Sequence, residues 1–455
     1  MSERNFDVIV IGAGPAGEVC AGRLGEAGLE VAIVERHLVG GECSFFACMP
    51  SKSLLRPAEA LAEVRRVPGA AGAVTGELDV RAVLDRRDEV VHHLDDSSQL
   101  PWLEERGVTV VRGDARLEGE RRVLVGDDAL LARTAVVVAV GSDPAMPPIP
   151  GLAEAAPWTN RDATVTEDVP ARLVILGGGV VGVEMAQAFS SLGSKVTVLE
   201  GGPRLLAREE PFAAAQVTEA LERAGVDVRV GTKAVAVRRE ADGVTVELES
   251  GDTVTGDELL VAVGRRPPTD ELGLETVGLE PGKTVPVDDR CRALGSDWLY
   301  AIGDANGRAL LTHMGKYQGR IAADTILGKE RAIVSDGLRS PRVIFTEPQV
   351  CAVGHTEASA REAGINVRVV EQKTSGNAGG SFYGRGTVGT SRLVVDEDRG
   401  VIVGATITGS EVADFLHAAT IAVIGEVPLE RLYHAVPSFP TRREVWLNLL
   451  NAYGV

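Results

Sequence analysis

The chain has 455 residues, of which 44% are hydrophobic and 25% charged, and it carries a net charge of −18. That length allows about three domains with sizeable cores, and the acidic balance argues against a nucleic-acid partner, whose phosphates require a clustered basic face. Five cysteines are too few for a disulfide scaffold, no apolar run approaches the ~18 residues of a membrane span, and the first residues lack the basic and apolar regions of a signal peptide; a soluble cytoplasmic protein is expected.

In chain order, Val8-Ile9-Val10-Ile11 predicts a strand. Gly12, Gly14 and Gly17 follow it, then a helix-compatible stretch and a second apolar run ending at Glu35. This is the spacing of a dinucleotide loop: the glycines permit a tight turn, backbone N–H groups approach a pyrophosphate, and the carboxylate accepts from a ribose. Next comes Gly40-Gly41-Glu42-Cys43-Ser44-Phe45-Phe46-Ala47-Cys48-Met49-Pro50-Ser51-Lys52. Two cysteines five apart read as buried hydrophobes, a metal half-site or a redox pair. The metal reading is weak, because no second Cys or His pair of suitable spacing follows. In a regular helix the pair would stand ~7.5 Å apart along the axis, too far for a bridge, so a redox pair requires an irregular turn. Gly40-Gly41 before it and Pro50 after it are the expected source. A thiol at a helix N-terminus would be more reactive.

A strand ending in Ala139-Val140-Gly141 completes the first unit, and a proline cluster at 144–150 marks the crossing to a second. There Leu173-Val174-Ile175-Leu176 leads to Gly177, Gly179 and Gly182, then to Glu200, and a later strand ends in Ala262-Val263-Gly264 before Arg265-Arg266-Pro267. The acid falls 18 positions after the last glycine in both units. Two complete loops with the same internal spacing make a duplicated nucleotide-binding unit a far stronger reading than one G-x-G-x-x-G would. Gly303-Asp304 after another apolar run is either a third nucleotide-facing strand end or a simple turn. From about residue 339, strand-like and helix-like runs alternate without a further phosphate loop, as in a separate α+β domain.

The segment 40–52, both loops, Gly264-Arg265-Arg266-Pro267, Gly303-Asp304 and Phe345-Thr346-Glu347-Pro348 together resemble the flavin-dependent pyridine nucleotide–disulfide oxidoreductases, the family of dihydrolipoamide dehydrogenase, glutathione reductase and mercuric reductase. The resemblance covers nearly the whole chain. It implies an α/β fold with two Rossmann-like domains, an FAD domain at 1–150 and an NAD(P) domain at 151–268, a central segment 269–335 completing the FAD site, and an α+β dimerisation domain at 336–455. It further implies FAD at Gly12, Gly14, Gly17, Glu35, Gly41, Gly141, Gly303 and Asp304, with Glu35 at the adenosine ribose and Asp304 at the ribityl chain. A nicotinamide dinucleotide would lie at Gly177, Gly179, Gly182, Glu200 and Gly264. Cys48 would be the sulfur against the flavin, Cys43 the interchange sulfur, and Lys52 a cation near the flavin paired with Glu184. A metal site is not expected, and a homodimer is. NADH is expected over NADPH, since Glu200 repels a 2′-phosphate, although Arg204 stands four residues on.

The chain departs from the family pattern at one position that matters chemically. Where disulfide-reducing members carry His-Pro-Thr-x-x-Glu, this chain reads Phe439-Pro440-Thr441-Arg442-Arg443-Glu444. Glu444 is kept, but the acid/base histidine is a phenylalanine, which moves no protons. His434 reads as a surface residue. Phe45-Phe46 reads as core packing or as an apolar access path, and the last six residues lack the cysteine pair that mercuric reductase adds. The expected function is therefore transfer of electrons from NADH through FAD, with a reducible Cys43–Cys48 disulfide, to a quinone-like or other redox-active small molecule or a metal ion. A disulfide reductase with an altered acid/base, and an NADH-binding redox sensor with little turnover, are the alternatives.

Overall fold

The computed structural model describes residues 3–455. They form two compact units, each assembled from separated stretches. The first comprises residues 3–50, Arg87–Ala145 and Arg265–Gly337. Its sheet is built on strand Glu3–Ile11, which pairs in parallel with Val31–Glu35 on one side and Asp128–Val138 on the other. Val108–Arg112 extends one edge, and Leu299–Ala301 also pairs in parallel with Asp128–Val138. Val8, Ile9 and Val10 are wholly buried, as the unbroken apolar run requires of a strand covered on both faces. Helix Pro15–Glu26 follows the strand with Pro15 in its first turn, where a missing N–H costs nothing. It lies close to helix Thr312–Ile326, because Ala16 meets glycines there: a Cβ on Gly319 would come within 2.6 Å of the Ala16 carbonyl oxygen.

The second unit comprises Ser51–Arg86, Met146–Gly264 and Leu338–Val455. A four-stranded parallel sheet runs in the order Asp227–Arg229, Lys195–Leu199, Arg172–Leu176, Glu258–Val261, with a three-stranded antiparallel sheet formed from 234–256. The C-terminal part is a five-stranded antiparallel sheet with Val401–Gly409, buried along its whole length, at its centre. Phe415, Leu416, Leu449 and Leu450, from the helical segments after it, share its core. Residues 51–86, which the sequence groups with the first domain, pack here: Leu54, Leu55, Val83 and Leu84 share a core with Phe189, Leu205 and Ile344.

The duplication extends to atomic contacts. Gly12 and Gly177 take φ of +103° and +108°, a region closed to most side chains. A Cβ on Gly17 would sit 2.0 Å from the Gly12 carbonyl oxygen, and one on Gly182 would sit 1.9 Å from that of Gly177. Ala139 donates to the Ile11 carbonyl and Ala262 to that of Leu176, both at 2.8 Å, so the partner strands close the two turns alike. Gly14 and Gly179, by contrast, would meet nothing within 4 Å. Gly182→Ala should therefore lower the thermal midpoint by several degrees, about 2 kcal/mol of overpacking. Gly179→Ala, read in the same calorimetric scan, should leave it unchanged.

Candidate active site

The first glycine loop is held by its own acid. Glu35, at the end of strand Val31–Glu35, accepts from the Ala13 N–H at 2.8 Å with one oxygen and from the His37 N–H at 2.7 Å with the other. Each oxygen keeps a lone pair for a ribose hydroxyl. Gly41 packs against the same loop, where its Cβ would lie 2.8 Å from the Gly14 Cα. Strand Leu299–Ala301 delivers Asp304 through a short helical turn that begins at Gly303. Its carboxylate accepts from the Ser142 hydroxyl at 2.6 Å, directly after Gly141, and burial raises its pKa above the ordinary range against the pull of Ser142 and Arg265. Arg265 donates to the Ser142 hydroxyl at 2.8 Å and reaches Glu42 at 3.4 Å. An open helix N-terminus at Gly14, a carboxylate fixed by two backbone N–H groups and a second buried carboxylate are features that could hold a dinucleotide. Ser142 joins Asp304 and Arg265 in this cluster, and motif spacing does not reveal it.

The second loop repeats this arrangement. Glu200 accepts from the N–H of Gly178 at 2.6 Å and of Gly202 at 2.6 Å, the same relative positions that Glu35 uses. The Arg204 guanidinium donates to the carbonyls of Ala207 at 2.8 Å and Glu209 at 2.9 Å in its own loop. Gly264 closes the partner strand with φ +147° and open space where a side chain would be.

Between the cysteines the chain leaves the helix. Helix Gly41–Phe45 ends at Phe46, whose φ is −133°, and helix Cys48–Arg66 starts afresh at Cys48. The irregularity thus lies between the two sulfurs and not only at the flanking Gly40-Gly41 and Pro50. Cys43 and Cys48 are hydrogen-bonded as thiols, and Cys43 is pushed well above the usual thiol range, first by that bond and then by burial. The Thr312 hydroxyl stands 3.3 Å from the Cys48 sulfur, a contact no motif signals. Phe45 is wholly buried, which settles its half of the Phe-Phe pair as core packing. Cys20, Cys291 and Cys351 are buried, and desolvation raises all three thiols, Cys20 to about 12.

One helical turn beyond Cys48, Lys52 makes a 2.7 Å ion pair with Glu184 of helix Val180–Ser191. The other Glu184 oxygen accepts from the Phe345 N–H at 2.9 Å, and the Lys52 ammonium lies 4.8 Å from the Phe345 ring centre. The C-terminal segment is anchored by Arg442, which the sequence gives no reason to single out. It is buried between the rings of Tyr383, at 3.7 Å, and Phe415, at 5.1 Å, and bonds the carbonyls of Ser410 and Glu411. Phe439 is 77% exposed. One Glu444 oxygen is buried without a hydrogen-bond partner among the described residues. His434 is exposed, its ring edge-on to Tyr433.

Residues 6–319 match the model of the pyridine nucleotide-disulphide oxidoreductase family, and residues 340–449 match its dimerisation domain. The chain is 34% identical to dihydrolipoyl dehydrogenase of Thermus scotoductus, over 97% of this chain and 96% of that one. It is 32% identical to mercuric reductase of Shigella flexneri, over 93% of this chain and 77% of that one. Among solved structures, the Cu(II) complex of an HOCl-induced flavoprotein disulfide reductase from Escherichia coli superposes with a TM-score of 0.86 at 26% identity, covering 98% and 99% of the two chains. No helix of the described residues is long and apolar enough to cross a membrane.

Removing Glu184 strands the Lys52 ammonium and the Phe345 N–H together. Glu184→Leu is expected to cost about 2 kcal/mol, a figure discounted for the third of Lys52 that solvent still reaches. A lowered denaturation midpoint would record it.

Proposed function

The chain belongs to the pyridine nucleotide-disulphide oxidoreductases, and from that premise we propose that it carries electrons from NADH, through FAD and the Cys43–Cys48 pair, to a quinone-like small molecule that needs no imidazole for its reduction. The observation that carries this reading is Phe439 where the family pattern has its acid/base histidine, with the buried Glu444 oxygen left without a partner. A disulfide substrate leaves as a thiolate that must be protonated, and losing the proton donor costs about 10²–10⁴-fold in rate. A quinone is reduced to its quinol with protons taken from water, so that NADH, a proton and the quinone give NAD⁺ and the quinol.

FAD, when bound, supplies the hydride acceptor and the two-electron relay. The chain's own residues do the rest. Gly12, Gly14, Gly17, Gly41 and Gly303 leave room for the dinucleotide. Glu35 and Asp304 take its hydroxyls, and Lys52, held by Glu184, places a cation near its ring. Glu200 takes the ribose hydroxyls of the nicotinamide nucleotide at the second loop, and the inward turn of Arg204 supports NADH over NADPH. The dimerisation-domain match, together with exposed apolar Ile421, Tyr433, Val436 and Phe439, supports a homodimer in which segment 434–446 faces the sulfur pair of the partner.

A metal ion is a second acceptor class, supported by the Cu(II) complex of the related reductase. Dihydrolipoamide remains the competing substrate, supported by identity to dihydrolipoyl dehydrogenases. Steady-state assays with NADH and naphthoquinones, Cu(II) or oxidised lipoamide decide between them. Quinone turnover should exceed lipoamide turnover by at least about tenfold, and Phe439→His should raise the lipoamide rate by about tenfold or more. Equal wild-type rates with lipoamide and quinone would overturn the proposal. Glu200→Ala should narrow the preference for NADH over NADPH, measured as a ratio of kcat/KM.

A further inference from the structure

We propose that Thr312 is an additional catalytic residue, whose hydroxyl donates to the Cys48 thiolate and fixes the charge and direction of that sulfur. The inference rests on the reading of Cys43 and Cys48 as the redox pair. The Thr312 Oγ1 lies 3.3 Å from the Cys48 Sγ. Between two neutral groups either could donate. Once Cys48 loses its proton only the hydroxyl can, and the bond becomes charge-assisted and roughly twice as strong.

The position of the residue serves that role. Thr312 is the first residue of helix Thr312–Ile326, and Leu311 before it provides no side-chain cap. The hydroxyl is therefore not occupied in closing its own helix. The unsatisfied N–H groups and positive end of a fifteen-residue helix lie behind it, which favours a negative charge on the sulfur. Lys316, one turn on, adds a cation on the same face.

The charged and titratable groups around the pair agree with this. Cys43, from helix Gly41–Phe45, is pushed up by its hydrogen bond with Cys48 and by burial, while a hydrogen bond from Thr312 and the charge of Lys316 act in the opposite direction. Lys316 also faces Glu18 of helix Pro15–Glu26, whose carboxyl burial pushes up to about 7. The Thr312 hydroxyl thus lies within reach of both sulfurs, and it remains a donor to Cys48 when Cys43 is engaged with an acceptor. The expected result is a thiolate that stays ionised and oriented in that state.

The test isolates Cys48 in the FAD-loaded Cys43→Ser enzyme and follows its alkylation by iodoacetamide against pH, with the modified peptide identified by mass spectrometry. Adding Thr312→Val should raise the apparent thiol pKa by about one to two pH units and weaken the long-wavelength thiolate–flavin absorbance at neutral pH. Thr312→Ser, which keeps the hydroxyl, should restore both. Thr312→Ala gives the same reading where the valine variant fails to retain flavin. An unchanged pKa in the valine or alanine variant, or a serine variant that behaves like valine, would overturn the proposal. Counting titratable thiols in the wild-type protein before and after reduction separates this from failure of the redox reading: no gain of two thiols removes the disulfide, whatever Thr312 does.

Discussion

Everything chemical in this chain depends on a helix that stops for two residues. In an unbroken helix the sulfurs of Cys43 and Cys48 would be held apart by ~7.5 Å of axial rise. The departure at Phe46 lets them touch. Phe45, wholly buried, fixes one side of that break, and the new helix from Cys48 fixes the other. Restarting the helix has two consequences. Cys48 gains the N-terminal position that favours a thiolate, and Lys52 follows one turn later, already paired with Glu184.

The two nucleotide loops show how a duplicated solution is kept at the level of single hydrogen bonds. Glu35 and Glu200 each take one N–H from the second position of their loop and another from two residues beyond themselves. The acid is thus structural before it is a ligand. It ties strand end to glycine turn, and its remaining lone pairs stay available to a ligand's hydroxyls. That double duty explains why the spacing from last glycine to acid is the same in both units.

Much of this was legible because it is local. A glycine turn that must avoid a carbonyl at 2.0 Å, an apolar run buried on both faces and an acid at fixed spacing all leave marks within about thirty residues. What the sequence did not disclose joins distant segments. Ser142, Arg265 and Asp304 meet across separations of 123 and 162 residues, Thr312 reaches Cys48 across 264, and Arg442 anchors to Ser410 and Glu411 between two aromatic rings. Asp304, Arg265 and Cys48 stand in motifs, but Ser142, Thr312 and Arg442 were not singled out, and only the fold brings these groups together. The site of the helix break is an intermediate case: the need for an irregularity followed from helix geometry, while its location between the cysteines did not.

Phe439 is where the chain departs from the family pattern. Glu444, five residues on, has a buried oxygen that no described residue satisfies. The two cysteine sulfurs, however, remain within hydrogen-bonding contact. The most direct measurement of the central claim is an anaerobic titration of the oxidised holoenzyme with NADH, counting equivalents of NADH consumed per subunit. About two equivalents, four electrons, are predicted, one equivalent for the flavin and one for the disulfide, with two new titratable thiols at the end. Complete reduction by a single equivalent, with no thiols gained, would contradict it.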